Sequence, residues 1–264
     1  MKRFRIVIYV LLGLFILAIG SGIYYYGNHP QWFTAQKLDK ETPKPKGKPK
    51  NVRQANALIS SKKVQPDYSG TGGLSDKQTM LRLVRSNQNE ILRGFVAMPS
   101  FNIDEPIYEG TSDHVLSIGA GLNEPNVVFG KGNVPIFAHN MGDYDAQYPL
   151  HPTKFSALQN MNNSNALGKM IYLSDGKTVF EYRASKLESG VPVSELNKRL
   201  SQSDNSGTPT VQLIACLEDA QWWAQVRASH YTDFHANKRI ILTGTLVKSE
   251  SIETVSSGLR EQLQ

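Results

Sequence analysis

The chain has 264 residues, of which 40% are apolar, a content that supports a folded core and excludes a largely disordered protein. Its single cysteine excludes an intramolecular disulfide and a structural zinc site built on thiolates. The net charge of +6 comes from residues 1–50, which hold nine basic and two acidic side chains; residues 51–264, with 20 basic and 21 acidic side chains, sum to −1 and give no support to nucleic-acid binding.

The N-terminal apolar segment predicts a membrane anchor. Residues 6–26 contain no charge and are long enough, as a helix, to cross a bilayer about 30 Å thick. Lys2, Arg3 and Arg5 lie in residues 1–5, and the positive-inside rule then places that end in the cytoplasm. A signal peptide cleaved at residues 18–20 is the alternative, but the apolar run continues past that motif. In both cases the remainder lies outside the cytoplasm.

Residues 27–73 are predicted to be a linker. The stretch KLDKETPKPKGKPK at residues 37–50 alternates lysine with proline, which favours an extended, solvated chain over a core. Attraction of its lysines to anionic lipid head groups or wall polymers is a secondary interpretation. We therefore expect a spacer between the membrane and a folded domain.

Residues 74–248 are predicted to form the folded domain. Apolar residues recur at helical spacing at about residues 75–93, where Ser75 and Gln78 suggest a capping box. From about residue 94 to 248, short apolar runs alternate with Gly, Asn, Asp and Pro clusters, which is typical of a closed or sandwiched all-β domain. Residues 249–264 are polar and are expected to form a loose or weakly helical tail.

Three predicted strand ends carry residues suited to nucleophilic catalysis. Cys216 ends the run at 211–216, His139 follows the run at 134–138, and Arg239 precedes the run at 240–247. A cysteine nucleophile reacts as the thiolate and needs a base or cation nearby, and a guanidinium can stabilise an oxyanion. Each residue alone also has an ordinary interpretation: a packing cysteine, a surface histidine and a solvated arginine.

Together these motifs resemble the sortases, transpeptidases that attach proteins to the wall of Gram-positive bacteria, and class A in particular. The matching segments are FAHN at 137–140, LIAC at 213–216 and Arg239 before IILTG at 240–244, supported by GFVAMP at 94–99, PIYEG at 106–110, GAG at 119–121 and MIYLSD at 170–175. The similarity covers about residues 90–248. Two positions depart from the family: Ala138 replaces Gly or Ser, and Ala215 replaces a Thr whose hydroxyl could supply a hydrogen bond of about 0.5–1.5 kcal/mol.

The resemblance implies an all-β fold, a closed eight-stranded barrel with short helices. It also implies a mechanism in which Cys216 attacks the threonine carbonyl of a Leu-Pro-x-Thr-Gly signal and Arg239 stabilises the oxyanion. His139 then protonates the leaving glycine amine. An amine of a lipid-linked peptidoglycan precursor resolves the thioester.

The resemblance also implies where the substrate binds. The family grips Leu-Pro with the segment before the cysteine strand, and the apolar candidates here are Val191, Pro192, Val193 and Leu196, with Ile214 as a further wall. An ordinary surface loop with a short helix is the alternative interpretation. The expected partners are secreted proteins with C-terminal LPxTG-type signals, the peptidoglycan precursor and the membrane, and no nucleic acid.

No metal or organic cofactor is predicted. Some class A members are modulated by calcium, which is not predicted here because no calcium-loop pattern links Asp113, Glu124, Asp143 and Asp145. The adjacent Trp222 and Trp223 are expected to point in different directions, so that one packs and the other lies at the rim of the site.

The expected location is the cell membrane, with a single pass, a cytoplasmic N-terminus and an extracellular catalytic domain. A pilin-polymerising sortase is a competing hypothesis, although such enzymes often carry a lid and a second membrane segment, and these 264 residues contain no second apolar 20-residue stretch. The sequence is also compatible with a peptidoglycan amidase or endopeptidase, and with a non-catalytic, anchored cell-envelope binding module.

Overall fold

The computed structural model describes residues 2–28, 34–70, 77–141, 153–201, 207–230 and 232–264. Its strands are β1 (Leu92–Met98), β2 (Ile103–Glu109), β3 (Ala120–Leu122), β4 (Asn133–Phe137), β5 (Asn140–Met141), β6 (Thr153–Lys154), β7 (Met170–Ser174), β8 (Thr178–Pro192), β9 (Thr210–Cys216) and β10 (Lys238–Ser251). Its α-helices are α1 (Lys2–Asn28), α2 (Thr34–Glu41), α3 (Val52–Ser60), α4 (Lys77–Val84), α5 (Asp113–Ile118), α6 (Asn163–Ala166), α7 (Leu196–Ser201), α8 (Ala220–Ala228) and α9 (Ser257–Gln262).

Eight of these strands close into a barrel. Within the described ranges their order is β1-β2-β3-β4-β9-β10-β8-β7, and β5 pairs separately with β6. Neighbouring strands are antiparallel except for the pairs β2–β3 and β4–β9, which are parallel. The predicted closed eight-stranded, all-β barrel is confirmed.

The inner and the outer face of the barrel wall are both buried around the ends of β4 and β9. Alternate residues of a strand point to opposite faces, and one set contributes side chains from all eight strands to a single interior cluster. Ala138, Ala215 and Ile240 belong to this interior set. Phe137 and Ile214 face outward, where a second cluster joins the barrel wall to residues of α2, α4 and α7.

The predicted linker differs from the structure, because part of it is folded onto the barrel. Helices α2 and α3 lie within residues 27–73, and Ala35 and Leu38 of α2 are fully buried. These two residues are three apart on the apolar side of α2, a pattern that the polar composition of the stretch obscures. Beyond α2, the Lys50 N–H donates to Leu92 O (2.8 Å), so the Lys/Pro stretch ends against β1.

The boundaries of two further segments also differ from those expected. The helix expected at about residues 75–93 is α4, which ends at Val84, and Ser75 lies outside the described residues. Residues 86–89 read SNQN, and such side chains compete with the helix for backbone hydrogen bonds. At the C-terminus, β10 continues to Ser251 and α9 follows, with Ile252 and Leu263 buried. These apolar side chains dock the predicted tail.

Helix α1 contains the apolar segment. The part from Phe4 to Tyr24 is long and apolar enough to cross a membrane, and none of it is buried against the rest of the chain. In water this apolar surface would be fully exposed to solvent. A bilayer is therefore a compatible environment for it.

Candidate active site

The parallel pairing of β4 and β9 brings His139 and Cys216 together. Phe137 pairs with Ile214, and the Ala138 N–H donates to Ile214 O at 3.1 Å. Two residues beyond this pair, the chain reaches His139 on one strand and Cys216 on the other. His139 and Cys216, which are 77 positions apart in sequence, therefore both lie just past the end of the same strand pairing.

Arg239 lies on the opposite side of Cys216. It is the register partner of Cys216 in the β9–β10 pair, and Val191 of β8 is in turn the partner of Arg239. Cys216, Arg239 and Val191 thus form a row across β9, β10 and β8, and His139 lies next in line, two residues beyond the end of β4. We call it the catalytic row, and its three predicted catalytic side chains are buried, with exposures of 2%, 7% and 1% for His139, Cys216 and Arg239.

The environment of Cys216 acts on its thiol in two opposing ways. Burial raises the pKa of the thiol above its usual value, and the nearby Glu218 carboxylate raises it further. The Arg239 guanidinium lowers this pKa because it stabilises the thiolate. Burial has the largest effect, so the neutral thiol is favoured in the resting site.

Arg239 is held by backbone carbonyl groups. Its Nη1 donates to Ala236 O at 2.7 Å and to Lys238 O at 3.0 Å. These bonds compensate part of the cost of burying a guanidinium and fix its direction at the start of β10. A fixed cation beside the thiol is the arrangement that oxyanion stabilisation needs.

The backbone after His139 turns away from β9 and pairs with another segment. The Phe155 N–H donates to His139 O at 3.0 Å, and Asn140 and Lys154 are register partners in the β5–β6 pair. Lys154 Nζ in turn forms a buried ion pair with Glu105 Oε2 of β2, at 2.9 Å. The segment after His139 is therefore connected to β2 of the barrel wall through Lys154.

One neighbour of the catalytic pair is a residue to which the sequence assigned no role. Asn140 Nδ2 donates to Cys216 O at 2.9 Å. The sequence signal was its position directly after His139 in FAHN, but nothing in the sequence shows its partner.

The five predicted substrate-binding residues are only partly grouped. Val191, Leu196 and Ile214 are buried in the same outward-facing cluster, while Val193 is half-buried and Pro192 is exposed. The Val193 N–H donates to Asn237 O at 2.9 Å, which holds the end of β8 beside the start of β10. The structure thus places Val191 in the catalytic row, with Pro192 and Val193 directly after it and Ile214 two residues before Cys216, and the role of all five stays a prediction.

The helix that follows Cys216 forms one side of the site. Trp222, Val226, Phe234 and Ala236 are buried in one cluster with Cys216. Trp222 Nε1 donates to Phe234 O at 3.3 Å, whereas Trp223 is half-buried with its ring centroid 4.7 Å from that of Trp222. As expected, the two indoles occupy different environments.

The acidic residues considered for calcium do not form a site in the described part of the chain. This part contains no group of three or more His, Cys, Asp or Glu side chains placed to hold a metal ion. Asp143 and Asp145 lie outside the described residues. Calcium dependence therefore stays untested.

Comparisons with known proteins match the barrel. Residues 96–246 match the sortase domain family. The chain is similar to sortase A of Listeria monocytogenes (25% identity over 160 residues, 60% of this chain and 58% of the relative) and sortase A of Streptococcus agalactiae (22% over 198 residues, 75% and 69%). A crystal structure of Listeria monocytogenes sortase A superposes with a TM-score of 0.47 at 23% identity, covering 65% of this chain and 95% of that chain.

Proposed function

The chain belongs to the sortase family, and we propose that it is a membrane-anchored, housekeeping (class A) member that acts on LPxTG-type sorting signals. A sortase is a cysteine transpeptidase, so the chain is an enzyme of that type. In our proposal it cleaves the signal between Thr and Gly and transfers the new carboxyl end to an amine of a peptidoglycan precursor.

The observation that carries this proposal is the catalytic row. Cys216 ends β9, Arg239 is its register partner at the start of β10, and His139 lies two residues beyond the end of β4, which pairs with β9. Nucleophilic acyl transfer requires a nucleophile, a cation that stabilises the oxyanion and a proton carrier, and in our proposal the three residues take these roles in that order.

In the first half-reaction, the proton of the Cys216 thiol passes to His139. The thiolate attacks the threonine carbonyl carbon, and the Arg239 guanidinium stabilises the negative oxygen of the tetrahedral intermediate. The C–N bond to glycine then breaks as the His139 imidazolium gives its proton to the leaving amine. The products are a thioester on Cys216 and a free glycine amine.

In the second half-reaction, an acceptor amine attacks the thioester carbonyl. Neutral His139 takes the proton that this amine loses, and the Cys216 sulfur leaves as the thiolate. The His139 imidazolium then returns this proton to the Cys216 thiolate, which restores the resting pair. Protons and charges therefore balance over the cycle, and none of these steps requires a redox change.

The test uses the full chain in detergent, with a fluorogenic LPxTG peptide and a glycine or alanine amine as acceptor. Wild type should cleave and transfer, and Cys216→Ala should do neither. His139→Ala and Arg239→Ala should each lose orders of magnitude in kcat/KM, because each removes a group that acts in the transition state. Full turnover by Cys216→Ala would refute the mechanism.

The same assay separates the competing functions. Transfer to a lysine side chain of a pilin-type peptide, without transfer to the glycine or alanine amine, would support the pilin-polymerising class. No turnover of any sorting peptide by the folded wild type would support an anchored binding module instead.

A further inference from the structure

The backbone ladder between β4 and β9 ends just before the catalytic pair. Phe137 and Ile214 are its last register partners, and the Ala138 N–H donates to Ile214 O at 3.1 Å. Rungs of a parallel ladder are evenly spaced, so the next would run from the N–H of residue 140 to the carbonyl of residue 216. The backbone of Asn140 instead pairs with Lys154 in the β5–β6 sheet.

The side chain of Asn140 takes the place of this next rung. Its Nδ2 donates to Cys216 O at 2.9 Å, which is the acceptor that the extended ladder would use. The backbone after His139 can therefore turn away from β9, while one further hydrogen bond, from the Asn140 side chain, still connects it to β9. Asn140 is nearly fully buried, with 6% exposure, so water competes little for this bond.

A second amide completes the connection. Asn140 Nδ2 also donates to Gln159 Oε1 at 2.8 Å. Gln159 bonds both backbone groups of Glu218: its Oε1 accepts from the N–H at 3.0 Å, and its Nε2 donates to the carbonyl at 3.2 Å. The two side chains therefore join the segment after His139 to the segment that begins at Cys216. We call Asn140 and Gln159 the amide clamp.

We propose that the amide clamp is a positioning device that holds His139 and Cys216 at their reactive separation. Asn140 is covalently next to His139 and hydrogen-bonded to the carbonyl of Cys216, so a single side chain links the two residues. The inference rests on the proposed function for the roles of His139 and Cys216, and otherwise on the contacts alone. Neither clamp residue touches the substrate in this proposal.

The chemistry of the clamp requires an amide at position 140. Asn140→Asp has the same shape, but a carboxylate accepts hydrogen bonds only and would face the carbonyl oxygen of Cys216 and Oε1 of Gln159. We expect it to impair activity more than Asn140→Ala, which leaves room for water. Gln159→Ala should have a smaller effect, because the bond from Asn140 to Cys216 remains.

The kinetic test uses the full chain in detergent and an LPxTG peptide. Asn140→Ala should lower kcat roughly 10–100-fold, because small misplacement of reacting groups carries costs of that order, while KM stays within about twofold. The double variant with Gln159→Ala should lose less than the product of the two single losses, because the residues act as one unit.

The matched control is Asn162→Ala. Asn162 is the N-cap of α6, where its side chain accepts the N–H groups of Ser164 and Asn165 at 2.9 and 3.1 Å, away from the catalytic row. Its loss should lower the melting temperature and leave kcat within about twofold of wild type. A kcat loss in Asn140→Ala no greater than in the control would overturn the proposal.

A second readout needs no sorting peptide: the rate at which iodoacetamide alkylates Cys216, measured against pH. Loosening of the clamp should admit water to the buried thiol, so Asn140→Ala should shift the profile to lower pH, and Asn162→Ala should not. An unshifted profile in Asn140→Ala would overturn the clamp. If the wild type turns over no sorting peptide, the proposed function fails, while alkylation still decides on the clamp.

Discussion

At the scale of single residues, the proposed nucleophile, Cys216, is a buried thiol whose ionisation is opposed by its surroundings. Burial and Glu218 raise the pKa of Cys216, and the Arg239 guanidinium lowers it. In the proposed mechanism the thiolate therefore forms against desolvation, which gives Arg239 a role before the oxyanion appears. That double role requires the cation to lie beside the sulfur rather than at the rim.

The first prediction concerns Arg239→Met, which removes the cation and keeps a long side chain. The pKa of Cys216 should rise further, so the alkylation profile should move to higher pH and the rate at about pH 8 should fall. Lys238→Met is the control, because Lys238 is the adjacent cation but pairs with Asp219 (2.7 Å) on the surface. Iodoacetamide kinetics followed by mass spectrometry measures both; an unchanged profile in Arg239→Met would contradict this account.

The departure from the family at Ala215 also belongs to this scale. The structure places Ala215 opposite Ile240 and in the interior cluster of the barrel, on the face of β9 away from Cys216. A hydroxyl at this position would point into an apolar interior and away from the outer face that carries Cys216. The hydrogen bond whose absence the sequence suggested is therefore more relevant to packing than to substrate positioning.

Accordingly, Ala215→Thr should destabilise the barrel without improving the enzyme. We expect the free energy of unfolding to fall by about 1–3 kcal/mol, from overpacking or an unsatisfied hydroxyl, with turnover not above that of wild type. Urea denaturation and the peptide assay measure the two effects. Ala215→Ser separates polarity from volume; a severalfold gain in turnover at unchanged stability would show that the hydroxyl acts in catalysis.

At the scale of elements, the main correction is that the first helix outside the apolar segment is part of the folded domain. Helix α2 packs against α4 and β6. Strand β6 carries Lys154 and pairs with β5, which begins directly after His139. The segment expected to be a free spacer therefore contacts the elements that support the His139 turn.

The packing of α2 predicts a large effect for Leu38→Ala. Leu38 is fully buried, so its truncation should lower the free energy of unfolding by about 2–5 kcal/mol. Lys40→Ala on the exposed side of α2 is the control and should stay within about 0.5 kcal/mol of wild type. Urea denaturation of the full chain tests this. Equal, small effects of both substitutions would mean that α2 is a dispensable spacer after all.

At the scale of the whole molecule, the docking of α2 limits how far the barrel can lie from a membrane spanned by α1, the proposed anchor. Only residues 29–33 separate α1 from α2. A fully extended chain of that length spans about 20 Å. The part of the Lys/Pro stretch that follows α2, residues 42–50, comes later in the chain, so it does not set the height of the catalytic domain as a spacer would.

The last prediction is the topology of the full chain in a Gram-positive cell. The chain should fractionate with the membrane, and protease added to protoplasts should remove a C-terminal tag, because the positive charges at the start of α1 retain the N-terminus inside. An intact mass of 29.4 kDa for the untagged chain is expected for a retained anchor. A smaller mass, corresponding to a start near residue 21, would show cleavage, and protection of the tag would reverse the topology.

The sequence by itself was sufficient for the features that local physics determines. The apolar N-terminus, the alternating strands and the ordered His, Cys and Arg motifs all depend on side chains within a few residues of one another. The strand pattern led to a closed or sandwiched all-β domain, and the resemblance to the sortases implied the closed barrel, which the structure confirms. The same motifs supplied the candidate site residues. The substrate-binding candidates were less sharply defined, because burial separates Val191 and Leu196 from the exposed Pro192.

Only the tertiary structure decided the features that depend on long-range register. The parallel pairing of β4 with β9 sets His139 beside Cys216, and it orients Ala215 inward. The docking of α2 and the bond from Asn140 to Cys216 likewise join residues that are distant in sequence. A polar or apolar pattern predicts that a side chain will be buried or hydrogen-bonded, but it does not identify the partner. The partner depends on the order of the strands around the barrel, and that order is a property of the whole chain.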